Sequence, residues 1–341
     1  MPEQLLIVGG VATGTKAAAT ARRRNAAAGI VVVQDEPDIS YSACGLPYHI
    51  ADPAAIPRRS LIARSVEEFR RDGVDMRIGH RVLGIDVRAM RVTILERASG
   101  RQYLEPFDRL LVATGARPIE PPIDATADAV ATFHLRTLTD ADAIVGRLAS
   151  IRDVVILGSG YIGLEAAEAV VFRGHRVTIV EAKERVIPAF SEPIGSLAAH
   201  LQVHDVRVLC GQSVERFERD TVVLANGERL KADLVLIAAG VRPAVDLTRA
   251  AGVEIGSTGA IAVDDHMRTS IPGVFAAGDC VESVHRVSGR TVWLPLGDVA
   301  NRHGRVAGTN MAGGDSSFPG VLGTAIFSVF GLGVGTTGLD E

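Results

Sequence analysis

Cysteine is scarce in this chain: Cys44, Cys210 and Cys280 are the three among 341 residues. They form no CxxC pair and no even-numbered set. That excludes a disulfide framework and a zinc site, and it points to a reducing compartment with no bound metal. An excess of positive charge is also missing. The formal net charge is -4, so no nucleic-acid partner is expected, and the basic run Arg22-Arg23-Arg24 is too short to alter that. No apolar stretch approaches the roughly 20 residues needed to span a bilayer. Leu5 to Val8 is too short for a signal sequence and has no basic segment before it. The expected location is the cytoplasm, away from membranes. Glycine and small apolar residues are plentiful: 36 glycines and 47% hydrophobic residues describe an Ala/Val/Gly-rich α/β protein. The length allows two domains with full cores.

Two stretches follow the same plan. Gln4 to Val8 reads as a buried strand running into glycines, Thr15 to Asn25 as an Ala-rich helix, and Ile30 to Gln34 as a second strand. From Asp153 the pattern recurs: a strand to Leu157, a glycine turn, a helix to about Phe172 stopped by Gly174, and a strand from Arg176 to Glu181. Each βαβ unit is followed by a strand broken by glycine and proline, Asp108 to Pro118 in one and Asp233 to Pro243 in the other. This is an internal duplication. Between the copies, Leu61 to Gly73 predicts an amphipathic helix, Val74 to Ile78 a strand, Arg91 to Leu95 and Gln102 to Leu104 a hairpin set, and Pro118 to Pro122 a linker. Beyond them, the run Ser270 to Asp279 predicts a short buried strand ending in Gly278-Asp279, and Leu296 to Met311 a helix. Ala325 to Glu341 has strand-like residues and stops before completing a unit.

The second glycine turn is the stronger dinucleotide fingerprint. Gly158 permits the tight turn, Gly160 lets the backbone approach a pyrophosphate, and Gly163 allows close helix packing. The helix that follows supplies amide donors for the diphosphate. Glu181 lies where a carboxylate accepts from ribose hydroxyls and disfavours a 2'-phosphate, so NADH is expected over NADPH. In the first turn, Gly9-Gly10-Val11-Ala12-Thr13-Gly14, Val11 replaces the middle glycine. Gln34 stands in the acid position, with Asp35 beside it. Asp279, at the end of a returning strand, either accepts from the ribityl chain of a flavin or caps a helix. Cys44 lies in the run Ser40-Tyr41-Ser42-Ala43-Cys44-Gly45-Leu46-Pro47-Tyr48. Gly45 and Pro47 suit a helix start, where amide dipoles favour a thiolate. Cys210 and Cys280 read as small buried hydrophobes.

Taken together, these motifs resemble the pyridine nucleotide-disulfide oxidoreductase superfamily. The similarity is carried by Ile7 through Ala12, Ser40 through Tyr48, Ala113-Thr114-Gly115-Ala116-Arg117-Pro118, Gly158 through Glu165, Val274 through Asp279, and Ala300 through Arg305. It is greatest to the single-cysteine branch of CoA-disulfide reductases, NADH oxidases and NADH peroxidases. The resemblance implies two Rossmann-like nucleotide-binding domains in a glutathione-reductase-like α/β fold. The FAD domain would be discontinuous, 1–118 and 244–320, with an NAD(P)H domain at 119–243. Residues 321–341 would open an interface domain that is otherwise largely absent and that forms the homodimer in the full-length family.

By the same resemblance, FAD is expected at Gly9, Gly10, Val11, Ala12, Gly14, Gln34, Asp35, Ser42, Ala113, Thr114, Gly115, Gly278 and Asp279. NAD(P)H is expected at Gly158, Gly160, Tyr161, Ile162, Gly163, Glu181 and Gly240. Cys44 would be the redox sulfur, Tyr161 the aromatic that covers the flavin until nicotinamide displaces it, and Glu165 an acid on the nicotinamide side. The implied substrate is a small disulfide, persulfide or polysulfide, with a CoA-linked molecule among the candidates. Gly45-Leu46-Pro47-Tyr48 resembles the CoA-disulfide reductase form, whereas Ala43 replaces an asparagine common there. The alternatives are an NADH oxidase or peroxidase cycling through a Cys44 sulfenic acid, and a flavin-binding protein with little turnover.

Overall fold

A computed structural model of the protein describes residues 2–188 and 195–339; Asp340 and Glu341, at the end of the expected terminal segment, lie outside the described residues. The chain forms two compact units. One comprises Met1–Ser42, Ile62–Arg117 and Pro243–Gly323, and the other Ala43–Leu61, Pro118–Arg242 and Thr324–Glu341.

In the first unit, five strands form one parallel sheet in the order Val274–Ala276, Arg109–Val112, Gln4–Val8, Gly29–Gln34, Val74–Ile78. Side chains alternate across a strand. Leu5 and Ile7 therefore enter the core shared with Ala17, Ala18, Ala21, Val306 and Met311. Leu6 and Val8 face Val92, Ile94 and Phe107, which belong to the antiparallel sheet and its flanking residues. Burial on both faces is why these strands are continuously apolar. Helices Thr13–Arg24 and Gly297–Met311 pack backbone to backbone: a Cβ on Gly308 would lie 2.4 Å from the Ala17 carbonyl oxygen.

The second unit repeats the plan. Its parallel sheet runs Thr132–Phe133, Leu234–Ile237, Asp153–Leu157, Arg176–Val180, Val206–Leu209. Asp153–Leu157 takes the central place that Gln4–Val8 holds in the first unit, with the broken strand on one side and the βαβ partner on the other. The duplication is thus one of strand order, not of sequence pattern alone.

Several expectations are corrected. The helix expected from Leu61 begins at Val66. Ser65 accepts the Glu68 amide proton and the Glu68 carboxylate accepts that of Ser65, a capping box that fixes the start. Helix Leu138–Leu148, missing from the sequence reading, starts on the same device at Thr137 and Asp140. Residues 43–61, expected within the first domain, pack in the second unit, where helix Leu46–Ala51 lies against helix Tyr161–Phe172. The terminal stretch does complete an element. Ala325–Val329 and Leu332–Thr336 pair as an antiparallel hairpin, and from Thr324 the chain joins the second unit. The hairpin is held there by the His204 ring, which stacks on Phe330 at 4.4 Å, and by the Phe330 amide, which donates to Glu168.

Candidate active site

In the second unit, the glycine turn leaves the carboxyl end of Asp153–Leu157. Gly158 has φ +101°, and a Cβ there would lie 2.4 Å from the Ala238 carbonyl oxygen. Gly163 is pressed as closely on the Gly158 carbonyl, so both positions require glycine. Gly160 differs: a Cβ would meet nothing within 4 Å. The space over it is open, as a pyrophosphate approach requires. Helix Tyr161–Phe172 begins directly there, with no side-chain cap and no acidic residue in its first turn. Amides in the first turn of a helix have no acceptor within the helix, the arrangement that binds an anion, and half-buried Ile162 lies in this turn. Glu181 is buried beside the turn, bonded to Ser159. Gly240 is exposed after the neighbouring strand, at φ +99°.

The first unit builds the matching turn. Val8, Val112 and Ala276 stand in register, so the loops at Gly9–Gly14, Ala113–Gly115 and Gly278–Asp279 leave one edge of the sheet. A Cβ on Gly9 would lie 2.2 Å from the Ala113 carbonyl oxygen, and one on Gly14 1.8 Å from that of Gly9. Helix Thr13–Arg24 follows Val11 and Ala12, again with no side-chain cap and no acid in its first turn. Thr114 donates its hydroxyl to the Ala244 carbonyl at 2.7 Å, and the Ala244 amide donates to Gly115. Gln34 Oε1 accepts the Gly10 amide proton at 2.7 Å. Asp35 is engaged elsewhere, bridged by Arg81 and Arg97. Burial opposes its ionisation, but the two guanidiniums outweigh that and hold its carboxyl below the usual range. Ser42 is exposed at the end of its segment.

Both turns therefore fit the phosphates of a dinucleotide. Each combines a close glycine approach with a helix N-terminus that no side chain caps.

Cys44 lies in the second unit, in a single 3₁₀ turn (Ala43–Gly45) leading into helix Leu46–Ala51. Of the three cysteines it is the exposed one. Cys210 is half-buried, and burial, followed by Glu181 and Glu184, raises its thiol pKa. Cys280 is fully buried and donates to the Ala277 carbonyl at 3.3 Å; burial again holds it as a thiol. Helix Leu46–Ala51, which follows Cys44, packs on helix Tyr161–Phe172 and brings Tyr48 within electrostatic reach of Cys44, Glu165 and Glu168. Burial, with Glu168 adding to it, pushes Glu165 up to about 7. Glu168 is raised by burial, against the Phe330 amide and His204 and His200. Tyr48 is raised by burial first, then by Glu165, Glu168 and Cys44. Tyr161 is 36% exposed at the head of the same helix. The sequence reading named Cys44, Tyr161 and Glu165 but missed Tyr48 and Glu168. Glu168 lies three residues from Glu165 on the same helix face, a spacing visible in the sequence, whereas Tyr48 comes to these acids only through the packing of helix Leu46–Ala51.

The profile of the pyridine nucleotide-disulphide oxidoreductases matches residues 3–304. The chain belongs to this family. Similar relatives include the CoA-dependent NAD(P)H sulfur oxidoreductase of Pyrococcus furiosus, 36% identical over 350 residues, covering 99% of this chain and 77% of that protein. The crystal structure of reduced CoADR-RHD from Bacillus anthracis superposes with a TM-score of 0.96 at 33% identity, over 100% of this chain and 62% of that one. The NAD-dependent persulfide reductase of A. fulgidus superposes at 0.93 with 35% identity, over 99% and 64%. The chain thus spans somewhat under two thirds of these two solved chains. As a pyridine nucleotide-disulphide oxidoreductase, it keeps one exposed cysteine where a disulfide pair would need two.

Proposed function

We propose that this oxidoreductase uses FAD and NADH to reduce a small disulfide, persulfide or polysulfide through Cys44. The observation that carries the reading is the single exposed cysteine within electrostatic reach of Tyr48, which also feels Glu165 and Glu168, in the unit that bears the stronger nucleotide turn. The names of the relatives support a CoA-linked sulfur substrate. FAD, when bound by the first turn and Asp279, would supply the two-electron relay between nicotinamide and sulfur.

The chain's own residues do the rest. The Cys44 thiolate attacks one sulfur of the substrate disulfide, forming a Cys44–substrate disulfide and releasing one thiolate. The electron pair that originates in NADH cleaves this mixed disulfide, releasing the second thiolate and restoring Cys44. The sum is RSSR + NADH + H⁺ → 2 RSH + NAD⁺. With its pKa near 7, Glu165 can hold the proton that a leaving thiolate takes up. Glu181 would accept from the ribose hydroxyls and repel a 2'-phosphate, which favours NADH.

None of the three cysteines is in a disulfide, which suits a reducing cytoplasm. No helix among the described residues is long and apolar enough to cross a membrane. We extend the proposal to a homodimer, as the family resemblance implies, and to no nucleic-acid partner. Anaerobic NADH titration of the purified protein, followed by mixing with CoA disulfide, polysulfide, oxygen or peroxide, tests the reading. Rapid reoxidation by a sulfur substrate is expected; rapid reoxidation by oxygen or peroxide alone would assign an oxidase or peroxidase instead.

A further inference from the structure

His303 is a histidine buried to 1% exposure in the middle of helix Gly297–Met311. Its ring stands edge-on to Phe318, 4.3 Å between centroids and at 90°. Burial, and secondarily Arg302, pushes its pKa down to about 4, so the ring is neutral under ordinary conditions. One nitrogen then accepts and the other donates. The Gly278 amide donates to Nδ1 at 3.3 Å, which assigns the proton to Nε2, facing Ser283 Oγ at 3.4 Å.

The turn that His303 meets is held on every side. The last ladder bond of strand Val274–Ala276 runs from the Ala277 amide to the Val112 carbonyl, and the Gly278 carbonyl accepts from Val281. The Asp279 carbonyl accepts the indole proton of Trp293 at 2.8 Å. Gly278 itself has φ +88°, and a Cβ there would lie 2.2 Å from Thr13 Oγ1. The chain has just left the sheet at this point, and without His303 the buried Gly278 N–H would lose the acceptor it has here. Such a loss is costly.

We propose that His303 is a positioning residue for the flavin. As a neutral acceptor it fixes the Gly278 peptide, and so, together with Trp293, the direction in which Asp279 presents its carboxylate. This inference rests on the flavin reading above.

Two variants separate hydrogen bonding from packing. His303→Leu keeps most of the volume and removes the acceptor. His303→Asn leaves a gap but places Oδ1 where Nδ1 was. Protein stripped of flavin would be titrated with FAD, following the flavin spectrum and the emission of Trp293, the only tryptophan in the chain and a neighbour of the site. His303→Leu should bind FAD about tenfold more weakly or worse. His303→Asn should stay within about threefold of wild type even though it melts earlier. Equal affinity of His303→Leu and wild type would overturn the inference, as would a folded His303→Asn that loses FAD as badly as His303→Leu. If His303→Leu does not fold, the asparagine variant decides: folded protein retaining FAD supports the role, and folded protein losing it more than tenfold refutes it. A wild type that binds no FAD would instead overturn the flavin reading itself.

Discussion

Glu181 Oε2 accepts both the amide and the hydroxyl of Ser159, each at 2.8 Å, while Oε1 accepts the Lys183 amide at 2.9 Å. The first unit has the same contact in neutral form, from the Gly10 amide to Gln34. In both, a residue at the carboxyl end of the second strand braces the glycine turn. Oε2 has both lone pairs engaged by Ser159, whereas Oε1 keeps one for a ribose hydroxyl.

Glu181 thus has two separable duties. Glu181→Gln keeps an acceptor for Ser159 and removes the charge, so the preference for NADH over NADPH should fall about tenfold with little loss of NADH binding. Glu181→Ala should loosen the turn and weaken both nucleotides. Rates of anaerobic flavin reduction at equal low NADH and NADPH check this; an undiminished preference in Glu181→Gln would contradict it.

Asp279→Ala should purify with less flavin than wild type, its affinity reduced by about 1–3 kcal/mol through loss of an acceptor. Absorbance ratios before and after dialysis give the answer. Flavin retained as firmly as in wild type would return Asp279 to a purely structural part.

The contact between helices Thr13–Arg24 and Gly297–Met311 has no room for a methyl group. Gly308→Ala should therefore destabilise the protein by about 1–3 kcal/mol. Gly146→Ala lies in a helix with nothing within 4 Å of the added Cβ and should stabilise by about 0.5–1 kcal/mol. Thermal melts that rank the two variants the other way would refute the packing argument.

Glu165 makes stability depend on pH. Its folded pKa, about 7, lies above its ordinary 4.5, so the folded state holds the proton more tightly. That contribution is fully present below about pH 4.5 and is lost as pH rises through about 7. Glu165→Gln should therefore gain on wild type between pH 5 and pH 8, by about 1–2 kcal/mol once partial solvent screening is allowed for. Urea midpoints at the two pH values measure the gain; a difference that does not change with pH would mean the carboxyl is not buried as described.

What could be read from the sequence was local. The strands entering Gly9 and Gly158 are apolar runs ended by glycines, and the helices after them are Ala-rich, so period and punctuation sufficed. Helix Leu138–Leu148 was legible from its Thr137–Asp140 capping box and the stripe Leu138, Ala141, Ile144 and Leu148, and was missed. The placement of 43–61 in the second unit could not be read locally, because it depends on Leu46–Ala51 packing on a helix more than a hundred residues away. For the same reason Tyr48 joined these acids only in three dimensions. Asp35 was expected at the FAD site, and nothing in its own neighbourhood announces Arg81 and Arg97.

Half-reactions of Cys44→Ser test the central claim most directly. NADH should bleach its flavin anaerobically as in wild type, since hydride transfer needs only the two nucleotide sites. The reduced variant should then fail to pass electrons to a disulfide or persulfide, whereas Cys210→Ser and Cys280→Ser keep both steps. If reduced Cys44→Ser is reoxidised by the sulfur substrate as fast as wild type, Cys44 carries no electrons and the reductase account is wrong.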